Sequence, residues 1–176
     1  MKKLVLLIIA AAVLMIPTFA AAQTATGTLT VTATVNSSIS LVFNNDVAGV
    51  ALSAGAGTNT ATLNFGNVSA FGAVAAGITR TTTATTFTVS TPVDVLVTKA
   101  NSASANYTLK AQLGAADAVN TWQVGGTTVT NAAQATITAT GAYGSNVAEA
   151  IALTVPFTTA SATAISNTIN FTATAN

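Results

Sequence analysis

The most informative feature of the chain is a strict alternation of polar and apolar residues at positions 27–35, which read Gly-Thr-Leu-Thr-Val-Thr-Ala-Thr-Val. Side chains on a β-strand point alternately to opposite faces, so this run predicts a strand with threonines on one face. Its apolar face consists of Leu29, Val31, Ala33 and Val35. A strand so near a terminus either begins its own sheet or inserts into the sheet of a neighbouring molecule.

The residues before this run have the pattern of a secretory signal. Two lysines follow the initiator methionine, residues 4–16 are apolar, and residues 20–22 are Ala-Ala-Ala. Such an order of charge, apolar stretch and small residues is typical of a cleaved signal peptide. The stretch is shorter than the roughly 20 residues that span a bilayer, although an uncleaved anchor is the alternative. We therefore predict a signal peptide at 1–22 and a secreted mature chain with no membrane segment.

The mature chain carries very few charges. Removal of the signal leaves three basic residues against four acidic ones, a net charge of −1. A chain without a basic stripe is a poor ligand for nucleic acid or anionic lipid, so neither is expected as a partner. Soluble monomers usually carry far more surface charge. The composition therefore favours close packing of subunits, that is, self-association.

The chain lacks the side chains on which most catalytic and metal sites depend. It has no histidine and no cysteine, and its acidic residues are widely spaced along the sequence. The usual general base, thiol nucleophile and zinc ligands are therefore missing, and we predict no enzyme, no cofactor and no metal. The segment Asn44-Asn45-Asp46 offers oxygen ligands but lacks the acidic density of a calcium loop, so we interpret it as a turn.

Beyond residue 36 the sequence predicts an all-β domain. Segments rich in β-branched and aromatic residues alternate with Gly, Asn and Ser clusters, and Gly125-Gly126 has the signature of a tight hairpin turn. Pro92 predicts a strand start, an edge or a switch between sheets, and residues 113–119 predict a short helical turn. No fixed repeat supports the alternative of a β-solenoid. The predicted strands are 26–35, 39–43, 61–65, 86–90, 93–99, 107–113, 122–124, 127–129, 135–140, 150–157 and 166–173.

This number of short strands predicts one antiparallel β-sandwich domain at 37–176, preceded by an N-terminal arm at 23–36. We expect the aromatic residues to fill the space between two sheets, namely Phe43, Phe65, Phe71, Phe87, Trp122, Phe157 and Phe171. Lys99 and Lys110 flank a polar turn, and we expect them to protect edge strands from uncontrolled pairing.

Three motifs resemble fimbrial subunits of the spore-coat-U type. They are the opening at 25–41, the Leu-Asn-Phe-Gly motif at 63–66, and the closing strand at 165–174. The resemblance implies an incomplete immunoglobulin-like sandwich with an N-terminal donor strand, which completes the next subunit of a pilus. It implies that Leu29, Val31, Ala33 and Val35 form the polymerisation interface. It also implies an assembly chaperone and usher as partners.

The sequence departs from that family at two places. Ser37 and Ser38 stand where the family often has a cysteine, and the chain ends Thr174-Ala175-Asn176 without a terminal aromatic residue. These differences leave open fibres that exchange strands without a chaperone and usher, such as the TasA-like proteins and archaeal bundling pilins. Overall, the sequence predicts a secreted structural subunit of an extracellular fibre.

A monomeric adhesin or lectin-like module is the competing prediction. Exposed aromatic rings stack on sugars, and Trp122, Tyr107 and Tyr143 are the residues that we would assign to such a site. A single tryptophan is not a platform, so packing within the core is the stronger interpretation of Trp122.

Overall fold

The computed structural model describes residues 25–176, so the predicted signal peptide lies outside the described residues. The chain divides into two units, Met1–Thr34 and Val35–Asn176. The strand predicted at 26–35 is not formed in the single chain, because residues 25–37 have no paired neighbour. No helix among residues 25–176 is long and apolar enough to cross a membrane. The strands are β1 Ser38–Asn44, β2 Thr79–Thr82, β3 Thr86–Ala100, β4 Tyr107–Leu113, β5 Thr121–Val124, β6 Thr127–Val129, β7 Ala135–Gly141, β8 Asn146–Pro156 and β9 Ile169–Ala175.

The strands of the second unit form two antiparallel sheets, as expected of a β-sandwich. The larger sheet has the order β1-β3-β8-β5-β6, with β2 also paired to β3, and the smaller sheet has the order β7-β4-β9. Buried apolar side chains alternate along the long strands, as in β3, where every second residue from Phe87 to Val97 is buried. This period of two buries one face of each sheet against the other.

The two segments predicted on either side of Pro92 form one strand, β3. Its C-terminal half pairs with β1 and its N-terminal half with β2, and no pairing of residues 91–93 to either strand occurs along that edge. Thr86 O accepts a hydrogen bond from Thr83 N at 2.8 Å, so even-numbered residues of β3 face this edge. The nitrogen of Pro92 therefore faces the gap between β1 and β2, where no ladder bond is required.

Several local predictions are confirmed and others are wrong. Strand β4 has the predicted limits, and Gly125 and Gly126 form the turn of the β5–β6 hairpin with φ of 55° and 79°. Residues 61–65 form no strand, although Thr62 makes an isolated bridge to Ala54. Residues 113–119 do not form the predicted helical turn. Instead, the Asp117 carboxylate accepts hydrogen bonds from the backbone amides of Val119 and Asn120.

The aromatic residues contribute unequally to the core. Phe87 and Trp122 are buried, and Phe43, Phe65 and Phe171 are partly buried against the core. The prediction that Phe71 and Phe157 fill the core is wrong, because they lie in connecting segments and are 73% and 40% exposed. Their rings contact each other at the surface, with centroids 5.9 Å apart.

The predicted edge role is wrong for Lys110, which lies on β4, the central strand of the smaller sheet. Lys99 lies on β3 opposite Ile39 of β1, beyond Leu96, the last residue of β3 that pairs with β8. The Lys99 ammonium donates a hydrogen bond to Ser104 O and lies 5.0 Å from the centre of the Tyr143 ring. It therefore anchors a loop at this end of β3, and an edge role for Lys99 stays a prediction.

One end of the sandwich, which we call the upper end, contains both the start of β1 and the end of β9. Ser38 pairs there with Ala100, and Asn176 N donates to Asn106 O at 3.0 Å. Tyr143 Oη donates to the same Asn106 carbonyl at 3.1 Å. Strand β1 therefore runs away from the upper end, whereas β9 runs towards it.

Candidate functional site

An open groove separates the edges of the two sheets between β1 and β9, and we call it the β1–β9 seam. Within the unit Val35–Asn176, β1 has β3 as its strand neighbour and β9 has β4, so each strand ends its sheet on the other side. The groove has a volume of about 1650 Å³ and is lined by both strands and by the segments 57–68 and 161–168. This volume exceeds the roughly 300–1000 Å³ typical of small-molecule pockets.

The edge of β9 presents backbone groups to the seam. Gly114 N donates to Thr168 O at 2.7 Å and Asn176 N donates to Asn106 O. The backbone amides and carbonyls of the even-numbered residues of β9 therefore face β4. Backbone direction alternates along an antiparallel ladder. The amides and carbonyls of Ile169, Phe171 and Ala173 therefore face the seam. Edge groups of this kind form a template for an additional strand.

The edge of β1 presents a second row of backbone groups. Phe43 N donates to Thr58 O at 2.9 Å, and Phe43 O accepts from Gly57 N at 2.7 Å. The backbone amide and carbonyl of Phe43 therefore face away from β3. The backbone groups of Leu41 and Ile39 share this direction because these residues lie two and four positions before Phe43. Within the unit Val35–Asn176 no strand pairs with these two residues on that side. The seam therefore has a ladder edge on each side.

The floor of the seam is apolar. Leu41 and Phe43 from β1, and Phe171 and Ala173 from β9, pack against the buried cluster of Val95, Val97, Tyr107 and Leu109. The Phe43 and Phe171 rings meet edge to face across the groove, with centroids 5.1 Å apart. Further along, the lining includes the buried side chains of Val93, Trp122, Ile151 and Leu153. An apolar strand face placed here would be removed from water on contact.

The predicted interface residues are themselves exposed. Leu29 is 89% exposed, Val31 79% and Val35 73%, and Ala33 is also exposed. Isolated exposed apolar residues are common, but four of them on one face of an alternating segment form a stripe that water solvates poorly. Their role as a donor strand stays a prediction.

The three aromatic residues assigned to sugar stacking are buried or partly buried. Tyr107 is completely buried and Trp122 is 6% exposed, with its indole Nε1 donating to Asp117 Oδ2 at 2.8 Å. Tyr143 is partly buried, and its ring packs against Tyr107 with centroids 5.3 Å apart. The interpretation of Trp122 as a core residue is confirmed.

The acidic residues are closer together than the sequence suggested. Asp46 lies in the predicted turn, where its Oδ1 accepts from Ala48 N at 2.7 Å, and it faces Asp94. Burial and the negative charge of Asp46 raise the pKa of Asp94 above its usual value, although Asn146 donates to it at 2.9 Å. No group of three or more His, Cys, Asp or Glu residues that could hold a metal occurs in the described part of the chain.

Two other carboxyl groups lie in the interior or against it. Glu149 is 6% exposed, and burial raises its pKa, although the Thr138 hydroxyl donates to its Oε1 at 3.2 Å. Asp117 shows the opposite behaviour. Burial alone would raise its pKa, but hydrogen bonds from Asn120, Trp122 and Val119 outweigh this effect and lower it to about 2. Neither group lines the seam.

The recipient side of the seam was missed by sequence reasoning. Both edges were recognised as strands, and the alternation of Ile169-Asn170-Phe171-Thr172-Ala173 repeats that of the arm. What the sequence does not encode locally is that β1 and β9 end different sheets on the same side of the sandwich. Alternating strands at both ends of one chain are the signal that would have suggested it.

No protein-family model matches the chain, and no significant similarity to a curated protein or a solved structure was found. The resemblance to spore-coat-U-type subunits therefore stays a prediction. The geometry of the seam is the basis for the functional argument.

Proposed function

We propose that the protein is a structural subunit of an extracellular fibre, in which the arm of one copy fills the β1–β9 seam of the next. The observation that carries this proposal is the seam itself, a groove with apolar side chains at its base and a ladder edge on each side. The addition of a strand would complete an immunoglobulin-like sandwich. The mode of assembly is β-augmentation, in which main-chain bonds supply affinity and alternate side chains supply specificity.

The arm has the pattern that such a groove requires. An inserted strand faces the apolar floor on one side and solvent on the other, so it must alternate apolar and polar residues. Residues 28–35 do so without exception, with Leu29, Val31, Ala33 and Val35 on the apolar side. Transfer of these side chains from water to the floor supplies the main driving force. Backbone bonds to Ile169, Phe171 and Ala173 add to it.

The direction of the inserted strand decides what is assembled. The arm is connected to β1 at the upper end of its own sandwich, through Asn36 and Ser37. An arm antiparallel to β9 would place Val35 at the lower end of the recipient. Upper and lower ends would then meet, and each added subunit would leave a free arm and a free seam. The product is an open chain.

The opposite direction would lead to a closed product. An arm parallel to β9 would bring two upper ends together, so that two copies exchange arms and no free site is left. Only two residues separate Val35 from Ser38, which corresponds to about 10 Å of extended chain. Successive subunits are therefore closely stacked in either case. We propose the antiparallel direction, because it leaves a free arm and a free seam on each added subunit, as an open fibre requires.

The proposal is tested by replacing the apolar face of the arm while keeping its length. The variant carries Leu29→Ser, Val31→Ser and Val35→Ser, and the matched control carries serine at Thr28, Thr30 and Thr32. Wild type and control are expected to sediment as fibres visible by electron microscopy, whereas the variant stays monomeric with an unchanged circular dichroism spectrum. Equal sedimentation of variant and wild type, or a wild type that remains monomeric at the cell surface and in solution, would contradict the proposal.

A further inference from the structure

The side chains on the two partners of the proposed ladder differ in size in a complementary way. The arm presents Leu, Val, Ala and Val at positions 29, 31, 33 and 35. The residues of β9 that face the interior are Ile169, Phe171, Ala173 and, by alternation, Ala175. Each set has one position that stands out, a small residue in the arm and a large one in β9.

We infer that Ala33 fixes the register of the arm by lying over the Phe43–Phe171 ring pair. This inference rests on the proposed function and names the position of each donor side chain. With the arm antiparallel to β9, Ala33 lies opposite Phe171, Val31 opposite Ala173, and Leu29 opposite Ala175. Val35 then lies opposite Ile169. The smallest donor residue thus faces the largest recipient residue.

The ring pair leaves little room at this level of the seam. Both rings point inwards from opposite edges and both line the groove, with centroids 5.1 Å apart. A donor side chain pointing inwards at the same level meets both of them, because residues directly opposite on paired strands lie about 5 Å apart. A methyl group fits there with least displacement of the rings.

Other alignments match the sizes less well. A slip of two residues in one direction places Val31 over the ring pair and Ala33 beside Ile169. A slip in the other direction places Val35 over the ring pair and Ala33 beside Ala173. An arm parallel to β9, with Leu29 at Ile169, places Val31 over Phe171 and Ala33 against Ala173. In each case a branched side chain is forced against the rings while a small one leaves a void elsewhere. The register with Ala33 at Phe171 avoids both faults. A parallel arm in this register would match the sizes equally well, but it leads to the closed product described above.

The register can be read from disulfide formation, because the natural chain contains no cysteine. Even-numbered residues of β9 face β4 with their backbone groups, so they form non-hydrogen-bonded pairs with the arm, about 4.5 Å apart between Cα atoms. This distance permits a disulfide. Thr30→Cys is combined in the full chain with Asn170→Cys, Thr172→Cys or Thr174→Cys, three positions on the solvent face of β9.

The expected result is a ladder of covalent oligomers on a non-reducing gel for the pair with Thr174→Cys alone. A ladder for the pair with Thr172→Cys would mean a slip of two residues, and a cross-linked dimer for the pair with Asn170→Cys would mean a parallel arm. The first result would overturn the register and leave the fibre proposal intact, whereas the second would contradict the open fibre as well. Fibres without any cross-link would show that the arm does not take this register along β9 and would overturn the inference. Failure of the wild type to form fibres would remove the proposed function and the register together.

The fit of Ala33 beside the two rings can also be tested in the full chain. Ala33→Phe is expected to raise the critical concentration for assembly on the order of 100-fold, because a ring cannot share the level of Phe43 and Phe171. Val31→Leu, which adds one carbon opposite Ala173, is the control and should change it less than about tenfold. Ala33→Phe combined with Phe171→Ala should restore most of the assembly.

A wild-type critical concentration for Ala33→Phe would overturn the role of Ala33. The rescue variant is compared with Phe171→Ala alone by circular dichroism. If Phe171→Ala does not fold, Phe43→Leu replaces it, since its ring occupies the same level, and the disulfide pattern decides the register independently. A folded rescue variant that assembles no better than Ala33→Phe would likewise contradict the placement over the ring pair.

Discussion

A single carboxylate on the arm is expected to abolish assembly without affecting the folded domain. In Val31→Asp the substituted side chain is 79% exposed in the single chain, so no packing is lost there. In the fibre, full burial of a valine side chain contributes about 1.5–3 kcal/mol. Since Val31 is 79% exposed before assembly, about four-fifths of this contribution is gained on assembly and would be lost in the variant. Desolvation of the carboxylate over an apolar floor adds several kcal/mol. A total of at least about 4 kcal/mol corresponds to a 1000-fold rise in critical concentration.

The matched control for this variant is Thr32→Asp. It introduces the same charge one residue further along, where the side chain of an inserted arm faces solvent. Both variants are examined by sedimentation over a range of concentrations and by circular dichroism. We expect Thr32→Asp to assemble within about tenfold of the wild type and Val31→Asp to remain monomeric with a native spectrum. Equal critical concentrations for the two variants would refute the alternation argument, and unfolding of Val31→Asp would show that the arm pairs within its own subunit.

Three further predictions concern the domain. Glu149→Gln should raise the free energy of unfolding at pH 7 but not at pH 3. Because burial raises the pKa of Glu149, the stability of the wild type falls as the pH rises through that pKa. Urea unfolding at both pH values measures the difference. Asp117→Asn should cost about 1–2 kcal/mol at pH 7 and little at pH 2, because a pKa lowered to about 2 gives stability that is lost as the carboxylate protonates. Gly141→Ala should lower the free energy of unfolding by about 1–3 kcal/mol or more, because a Cβ there would lie 2.2 Å from the Tyr107 ring. The control is Gly144→Ala, where a Cβ would meet nothing within 4 Å but the backbone has a φ of 84°. Thermal unfolding of the two variants separates the clash from backbone strain.

Local signals predicted most of the strands, and long-range pairing explains what they missed. Strand β4 and the Gly125-Gly126 hairpin followed from residue type and alternation alone. Strand β2 was missed because its sequence Thr-Arg-Thr-Thr contains no apolar residue, and the edge of β3 is what orders it. Pro92 suggested a break between two strands because its nitrogen cannot donate a ladder hydrogen bond. The sequence does not show that this nitrogen faces the gap between β1 and β2, where no such bond is needed.

The donor half of the candidate site could be predicted from the sequence and the recipient half could not. Alternation at residues 27–35 is a local pattern, readable without knowledge of any contact. The seam exists because β1 pairs with β3 at a separation of 50 residues or more while β9 pairs with β4. The close approach of the Phe43 and Phe171 rings depends on both pairings at once. Such a juxtaposition is a property of the assembled sheets rather than of either segment.

The most direct test of the account is a cryo-electron microscopy map of the native fibre at a resolution that separates β-strands. We predict a strand of density along the β1–β9 seam of every subunit, antiparallel to β9 and continuous through Asn36 and Ser37 with β1 of the adjacent subunit. The side-chain density over the Phe43–Phe171 pair should be the smallest along that strand. An empty seam, or one filled by a segment of the same subunit, would contradict the account.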